Sequence, residues 1–155
     1  MILALETSCD ETAAAICTLD GRILSSRLFS QIEIHRQFGG VVPEVASRNH
    51  ITKVRPLVDA VLDEAGIALS DVVAFAATCG PGLVSSLLIG ASMAKALAVA
   101  EKKPFLAINH MEAHLLSPFV GRGGIEPALG LIVSGGHTML VNIEAVGRYY
   151  LMGQT

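Results

Sequence analysis

Four short stretches of the chain hold residue types that can do chemistry. The most suggestive is Asn109-His110-Met111-Glu112-Ala113-His114. Histidines at i and i+4 of a helix project from one face, a common two-point grip on a metal ion. A zinc peptidase places its glutamate directly after the first histidine, as H-E-x-x-H. Here Glu112 stands two residues on, about 200° around the helix at 100° per residue, so it turns away from an ion held by the pair. That order does not suit a peptidase. Two unrelated surface histidines would show the same spacing.

The second stretch is Val133-Ser134-Gly135-Gly136-His137-Thr138. Paired glycines after a strand let a ligand approach the backbone, and the flanking hydroxyls suit an anion. A tight hairpin turn needs the same glycines. The third is Ser8-Cys9-Asp10-Glu11-Thr12, a polar turn with two acids able to orient a metal or a water or to take a proton. A solvated loop tip reads the same way. The fourth is Gly80-Pro81-Gly82 ahead of a helix with Ser85 and Ser86. Exposed N–H groups there attract anions, and an ordinary strand-to-helix turn looks no different.

The elements that must position these stretches follow from periodicity. Met1–Glu6 is a short apolar run that predicts a buried strand. Ala13–Leu19 and Arg22–Phe29 predict two more, joined by a two-residue turn at Asp20-Gly21. Gln31–Val42 reads as a loop broken at Gly39-Gly40. A helix is predicted from Pro43, with Ile51, Val54, Leu57, Val58, Val61, Leu62 and Ala65 spaced by threes and fours and Gly66 as its C-terminal stop. Pro56 lies inside that pattern and is expected to kink or divide it. Strand Val72–Thr78, a small-residue helix to about Glu101, strand Phe105–Ile108 and helix Asn109–Phe119 follow. Leu129–Ser134 and Thr138–Ile143 form a last hairpin. Three strands followed by alternating helices and strands predict an α/β fold, a mixed sheet covered by helices. That order is the pattern of one lobe of the actin-like ATPase (ribonuclease H-like) fold. It places an N-terminal lobe at 1–128 and the start of a second, incomplete lobe at 129–155.

Composition bounds the function. Of 155 residues, 52% are apolar and 16% charged, which describes a globular chain. Net charge is −3, so nothing suggests a stand-alone nucleic-acid binder. Leu83–Ala100 is the most apolar segment. It contains Lys95 and three serines and reads as a buried helix, so no membrane is expected. The three cysteines, Cys9, Cys17 and Cys79, lack metal-type spacing, and with no secretory leader they point to reduced thiols in a cytoplasmic protein.

Taken together, the wording and order of the motifs are specific. Glu6-Thr7-Ser8-Cys9-Asp10-Glu11-Thr12, Gly39-Gly40-Val41-Val42-Pro43-Glu44 with Ala46-Ser47-Arg48, Gly80-Pro81-Gly82-Leu83, Asn109 to His114 and Val133 to Thr138 resemble the tRNA threonylcarbamoyltransferase family along the whole chain. The resemblance implies a two-lobed actin-like enzyme. It would move a threonylcarbamoyl group from threonylcarbamoyl-AMP to the exocyclic amine of the adenosine beside the anticodon of a tRNA. It implies His110 and His114 as ligands of one divalent metal, iron or zinc, with a third ligand, an aspartate, outside this chain. It implies substrate contact along Ile132, Val133, Ser134, Gly135 and Gly136, and Glu11 as a cleft acid important for activity. Implied partners are a paralogous actin-like subunit and a P-loop ATPase, with a homodimer also conceivable.

Ile132 and His137 stand where archaeal and eukaryotic members carry Tyr and Asn, so the chain resembles bacterial members and lacks that phenol. Family chains are about twice this long, so the isolated chain is expected to be an inactive part. Competing readings are a non-catalytic scaffold paralogue, a metallopeptidase and an actin-like sugar or acetate kinase. The histidine pair counts against the first and last, and the place of Glu112 against the peptidase. Ile51, Val54, Val58, Leu62 and the small-residue helix are candidates for an apolar contact with another subunit.

Overall fold

The computed structural model describes residues 1–134 and 138–155. Gly135 and Gly136, two of the expected substrate contacts, therefore lie outside the described residues. The chain forms two compact units, Met1–His110 and Met111–Thr155. The element order suggests a boundary at 128, but the contacts divide the chain after His110, because Leu115 packs with the later strands.

The first unit is built on a five-stranded sheet in the order β3-β2-β1-β4-β5. The strands are β1 (Ile2–Glu6), β2 (Glu11–Cys17), β3 (Ile23–Ser30), β4 (Ala74–Gly80) and β5 (Phe105–Asn109). β1, β4 and β5 run parallel, while β2 and β3 extend the sheet antiparallel. Alternation is strict in β1 and β2: Leu3, Leu5, Thr12, Ala14 and Ile16 are buried and their neighbours less so. Period-2 placement of apolar residues thus gives the sheet one fully covered face. The β2–β3 connection is not the expected two-residue turn. The amide of Gly21 bonds to the Thr18 carbonyl, the amide of Thr18 to the Arg22 carbonyl, and Gly21 has φ +85°. This is the three-residue loop with a left-handed glycine at its end.

Two long helices cover that face. Helix α2 (Pro43–Ala65) begins with proline in its first turn and stops at Gly66 in the left-handed region, φ +66°. The Gly66 and Ile67 amides bond back to Asp63 and Leu62, so the helix carbonyls are satisfied as at other glycine-terminated helices. Pro56 does not divide it: the helix runs unbroken through that residue. Val54, Val58 and Val61 pack against Leu3, Leu5, Ile16 and Phe75. Ile51 belongs to the same sequence pattern but is 64% exposed. Helix α3 (Val84–Glu101) buries the stripe Ser86, Gly90, Ala94 and Ala98, spaced by four. By length and composition α3 could cross a membrane. Its contacts with α2, β1, β4 and β5 make it a helix of this unit. A short helix, α1 (Ile32–Arg36), occupies part of the segment expected to be a loop.

The second unit holds most of helix α4 (His110–Leu116) and a three-stranded antiparallel sheet of β6 (Ala128–Val133), β7 (Thr138–Ala145) and β8 (Arg148–Gln154). β8 was not anticipated from the sequence, because Tyr149, Tyr150, Leu151 and Met152 do not alternate with polar residues. Its core is Leu115, Val141 and Ile143, with Ile132, Met139 and Tyr149 packed around it. Gly130 lies under Leu115: a Cβ there would sit 2.5 Å from Leu115 Cδ2.

Candidate functional site

The parallel strands β1, β4 and β5 end side by side at Glu6, Gly80 and Asn109. In open α/β sheets, ligand sites form outside the carboxyl ends of such strands. Three of the four chemistry-bearing stretches leave the sheet here. They are the turn at 7–10 after β1, Gly80-Pro81-Gly82 after β4, and His110 at the start of α4 after β5.

The turn is held group by group. The Thr7 hydroxyl donates to the Ser86 carbonyl at 2.8 Å and accepts the Gly90 amide at 3.0 Å. This approach requires glycine at 90, since a Cβ would lie 2.6 Å from Thr7 Oγ1. The Ser8 carbonyl accepts the Leu83 amide at 2.8 Å, and a Cβ on Gly82 would stand 2.7 Å from that carbonyl oxygen. The Asp10 carbonyl accepts the Gln31 amide at 3.0 Å. Gly82 and Gly90 are thus clearance for residues 7 and 8. Cys9 is exposed, but burial of its thiol, then the charge of Asp10, raises its pKa to about 11. A thiol so shifted is protonated at neutral pH and is a poor nucleophile or ligand.

Glu6 organises the polar end of the sheet. Its carboxylate accepts the Ser8 amide at 2.5 Å and the Thr78 hydroxyl. Thr78 stands beside it because β1 and β4 pair Leu5 with Ala77. The same carboxylate lies 3.8 Å from His110 Nδ1, and Ser8 Oγ lies 3.2 Å from that nitrogen. A metal-binding histidine characteristically gives its second ring nitrogen to a carboxylate or a similar acceptor, which fixes its tautomer. An imidazole that donates from Nδ1 carries its lone pair on Nε2, and the surroundings of His110 fit a ligand of that kind. His114 follows one turn later on the same helix. Among the described residues, no three His, Cys, Asp or Glu side chains come together in a way that could hold a metal.

The remaining expected residues fall as follows. Glu11 is not in the turn: it is the first residue of β2, half-buried. Strand alternation and the pairing of Glu6 with Ala13 put it on the sheet face that carries Glu6. Ile132 packs into the core of the second unit, while Val133 and Ser134 are exposed. Glu112 accepts the Tyr149 hydroxyl at 2.6 Å. Burial, then that bond, raises the Tyr149 pKa. Sequence reasoning assigned no role to Glu6, Thr78, His50 or Tyr149. Glu6 could have been found, as an acid ending an apolar strand; Thr78 and Tyr149 carry no such signal.

The sheet order and helix placement define an α/β protein of the actin-like fold. YeaZ from Pseudomonas aeruginosa superimposes with a TM-score of 0.65 at 26% identity, over 99% of this chain and 65% of that one. The ROK hexokinase from Thermus thermophilus does so with 0.56 at 19% identity, over 96% of this chain and 47% of that one, a likeness of fold alone. The tRNA N6-adenosine threonylcarbamoyltransferase family model matches residues 22–155, and the chain belongs to that family. Proteins of that name from Caldicellulosiruptor saccharolyticus and Trichlorobacter lovleyi are 54% and 50% identical over the full length of this chain. The chain spans 46% and 45% of them, less than half their length.

Proposed function

We propose that the chain is the N-terminal, metal-binding part of a transferase that carries threonylcarbamoyl from threonylcarbamoyl-AMP to the N6 amine of the adenosine beside a tRNA anticodon. The observation that carries this reading is His110, held at Nδ1 by Ser8 and faced by Glu6, at the carboxyl ends of the parallel strands. Family membership and the name of its relatives support transfer to the N6 amine of an adenosine in tRNA. His110 and His114 would hold one iron or zinc ion together with a ligand from the rest of the full-length protein. Such an ion supplies Lewis acidity toward a carbonyl oxygen.

The chain's own residues have distinct tasks in this reading. Glu6 and Ser8 orient His110. Glu11, on the same sheet face as Glu6, would take a proton from the attacking amine. Val133 and Ser134 would line the substrate. The amine attacks the carbamoyl carbon, the bond to the phosphate oxygen breaks and AMP leaves. A paralogous actin-like subunit and a P-loop ATPase are the partners this reading implies.

The test uses a full-length family protein with this chain as its N-terminal part. Replacing His110 or His114 by alanine is expected to lower bound iron or zinc by elemental analysis. Modified adenosine in a reconstitution with tRNA, threonine, bicarbonate, ATP and the pathway proteins is expected to fall at least about 100-fold, the scale seen when a metal site or its support is lost. Full activity with both histidines replaced would overturn the assignment.

A further inference from the structure

His50 is fully buried on α2 and takes no part in the chemistry above. Its Nε2 lies 3.0 Å from the Cys9 carbonyl and its Nδ1 lies 2.8 Å from the Thr12 hydroxyl. A carbonyl only accepts, so Nε2 carries the proton; Nδ1 of a neutral ring then holds the lone pair, and Thr12 must donate to it. Every polar atom of the ring is matched in one tautomer and one orientation.

We propose that His50 is a positioning residue for the turn at 7–10: as the Nε2–H tautomer it ties the Cys9 carbonyl and the Thr12 hydroxyl to α2, and so fixes the backbone from which Ser8 reaches His110. Thr7, Ser8 and Asp10 are held by groups of α3 and by backbone amides. The Cys9 carbonyl is held by a side chain from a residue 41 positions away, so α2 packing reaches the site through one ring. Burial favours the neutral ring and lowers its pKa, against the raising effect of the Cys9 carbonyl bond and then of Glu6 and Asp10, and with a smaller push from His35. The functional weight of this inference rests on the transferase reading. The geometry does not, and the experiment addresses the geometry.

A full-length family protein with this chain as its N-terminal part, labelled with 15N, is observed by NMR as the parent and as Thr12→Val, Thr12→Ser and His50→Phe. In the parent, His50 is expected as the Nε2–H tautomer. Thr12→Val removes the donor and keeps the shape. It is expected to speed hydrogen exchange at the Ser8, Gln31 and Leu83 amides, which bond to or within the turn, by about tenfold, as for one lost hydrogen bond. The His110 ring resonances should shift, while amides deep in β4 and α3 keep their exchange rates. Thr12→Ser should restore the parent pattern. A purely structural role would instead speed exchange evenly across the lobe in Thr12→Val, with no recovery in Thr12→Ser. That result, or a His50 Nδ1–H tautomer, would overturn the proposal. If His50→Phe does not fold, the two Thr12 variants still decide. An inactive transferase assay would leave this outcome untouched, so the two readings fail separately.

Discussion

At the scale of single residues, small side chains matter here by what they leave room for. Gly90 lets the Thr7 hydroxyl meet the backbone of α3, and Gly82 lets the Ser8 carbonyl approach. Gly90→Ala would gain helix propensity of about 1 kcal/mol in an isolated helix. In this lobe it forces Thr7 away, at a cost of about 1–3 kcal/mol from overpacking, plus the loss of buried bonds. Urea denaturation is expected to show a net loss of stability; a gain would mean that Thr7 relaxes without cost. His50 gives a pH dependence. Burial holds its folded pKa below the ordinary imidazole value of about 6.5, so the unfolded chain takes up the proton first as pH falls. Its contribution is complete above about 6.5 and declines as pH falls from there through the lower folded value. In His50→Phe, if folded, the slope of stability against pH between neutrality and mild acid should be shallower than in the parent.

At the scale of elements, α2 separates two meanings of an apolar residue. Val58 and Ile51 belong to one periodic pattern, yet Val58 is 2% exposed and Ile51 64%. Of the residues expected to meet another subunit, Val54, Val58 and Leu62 pack on this lobe's own core, and Ile51 does not. Val58→Ala is expected to cost about 2 kcal/mol, since it leaves a cavity under the sheet. Ile51→Ser should change stability by less than about 0.5 kcal/mol, as surface positions do. Paired thermal melts of the two variants check this. An equal cost at both positions would show that Ile51 is covered in solution.

At the scale of the molecule, the chain spans less than half of its relatives, and two histidines are short of a closed metal site. Stable sites use at least three protein ligands, and transition-state stabilisation needs the substrate fixed on every side. The 155-residue polypeptide by itself is therefore expected to bind zinc or iron weakly and to form no modified nucleoside in the reconstitution described above. Equilibrium dialysis and nucleoside analysis measure the two. Turnover close to that of a full-length protein would place the active site wholly within these residues.

Period and spacing were enough to read the α/β class, both long helices, the parallel strands and the helical placement of His110 and His114, because each depends on neighbours only a few residues apart. Gly66 as a helix stop was legible for the same reason. Strand register and burial were not. Glu11 reads as a turn residue until pairing with β3 draws it into β2. Glu6, Thr78 and His110 are separated by 72 and 32 positions and meet only because β1, β4 and β5 lie side by side. His50 looks like one polar residue on an amphipathic helix, and its partners Cys9 and Thr12 lie 41 and 38 positions earlier in the sequence. Local periodicity determined most of the elements, though not α1 or β8. Hydrogen bonds between residues distant in the chain, which no local pattern encodes, decided which of their side chains make the site.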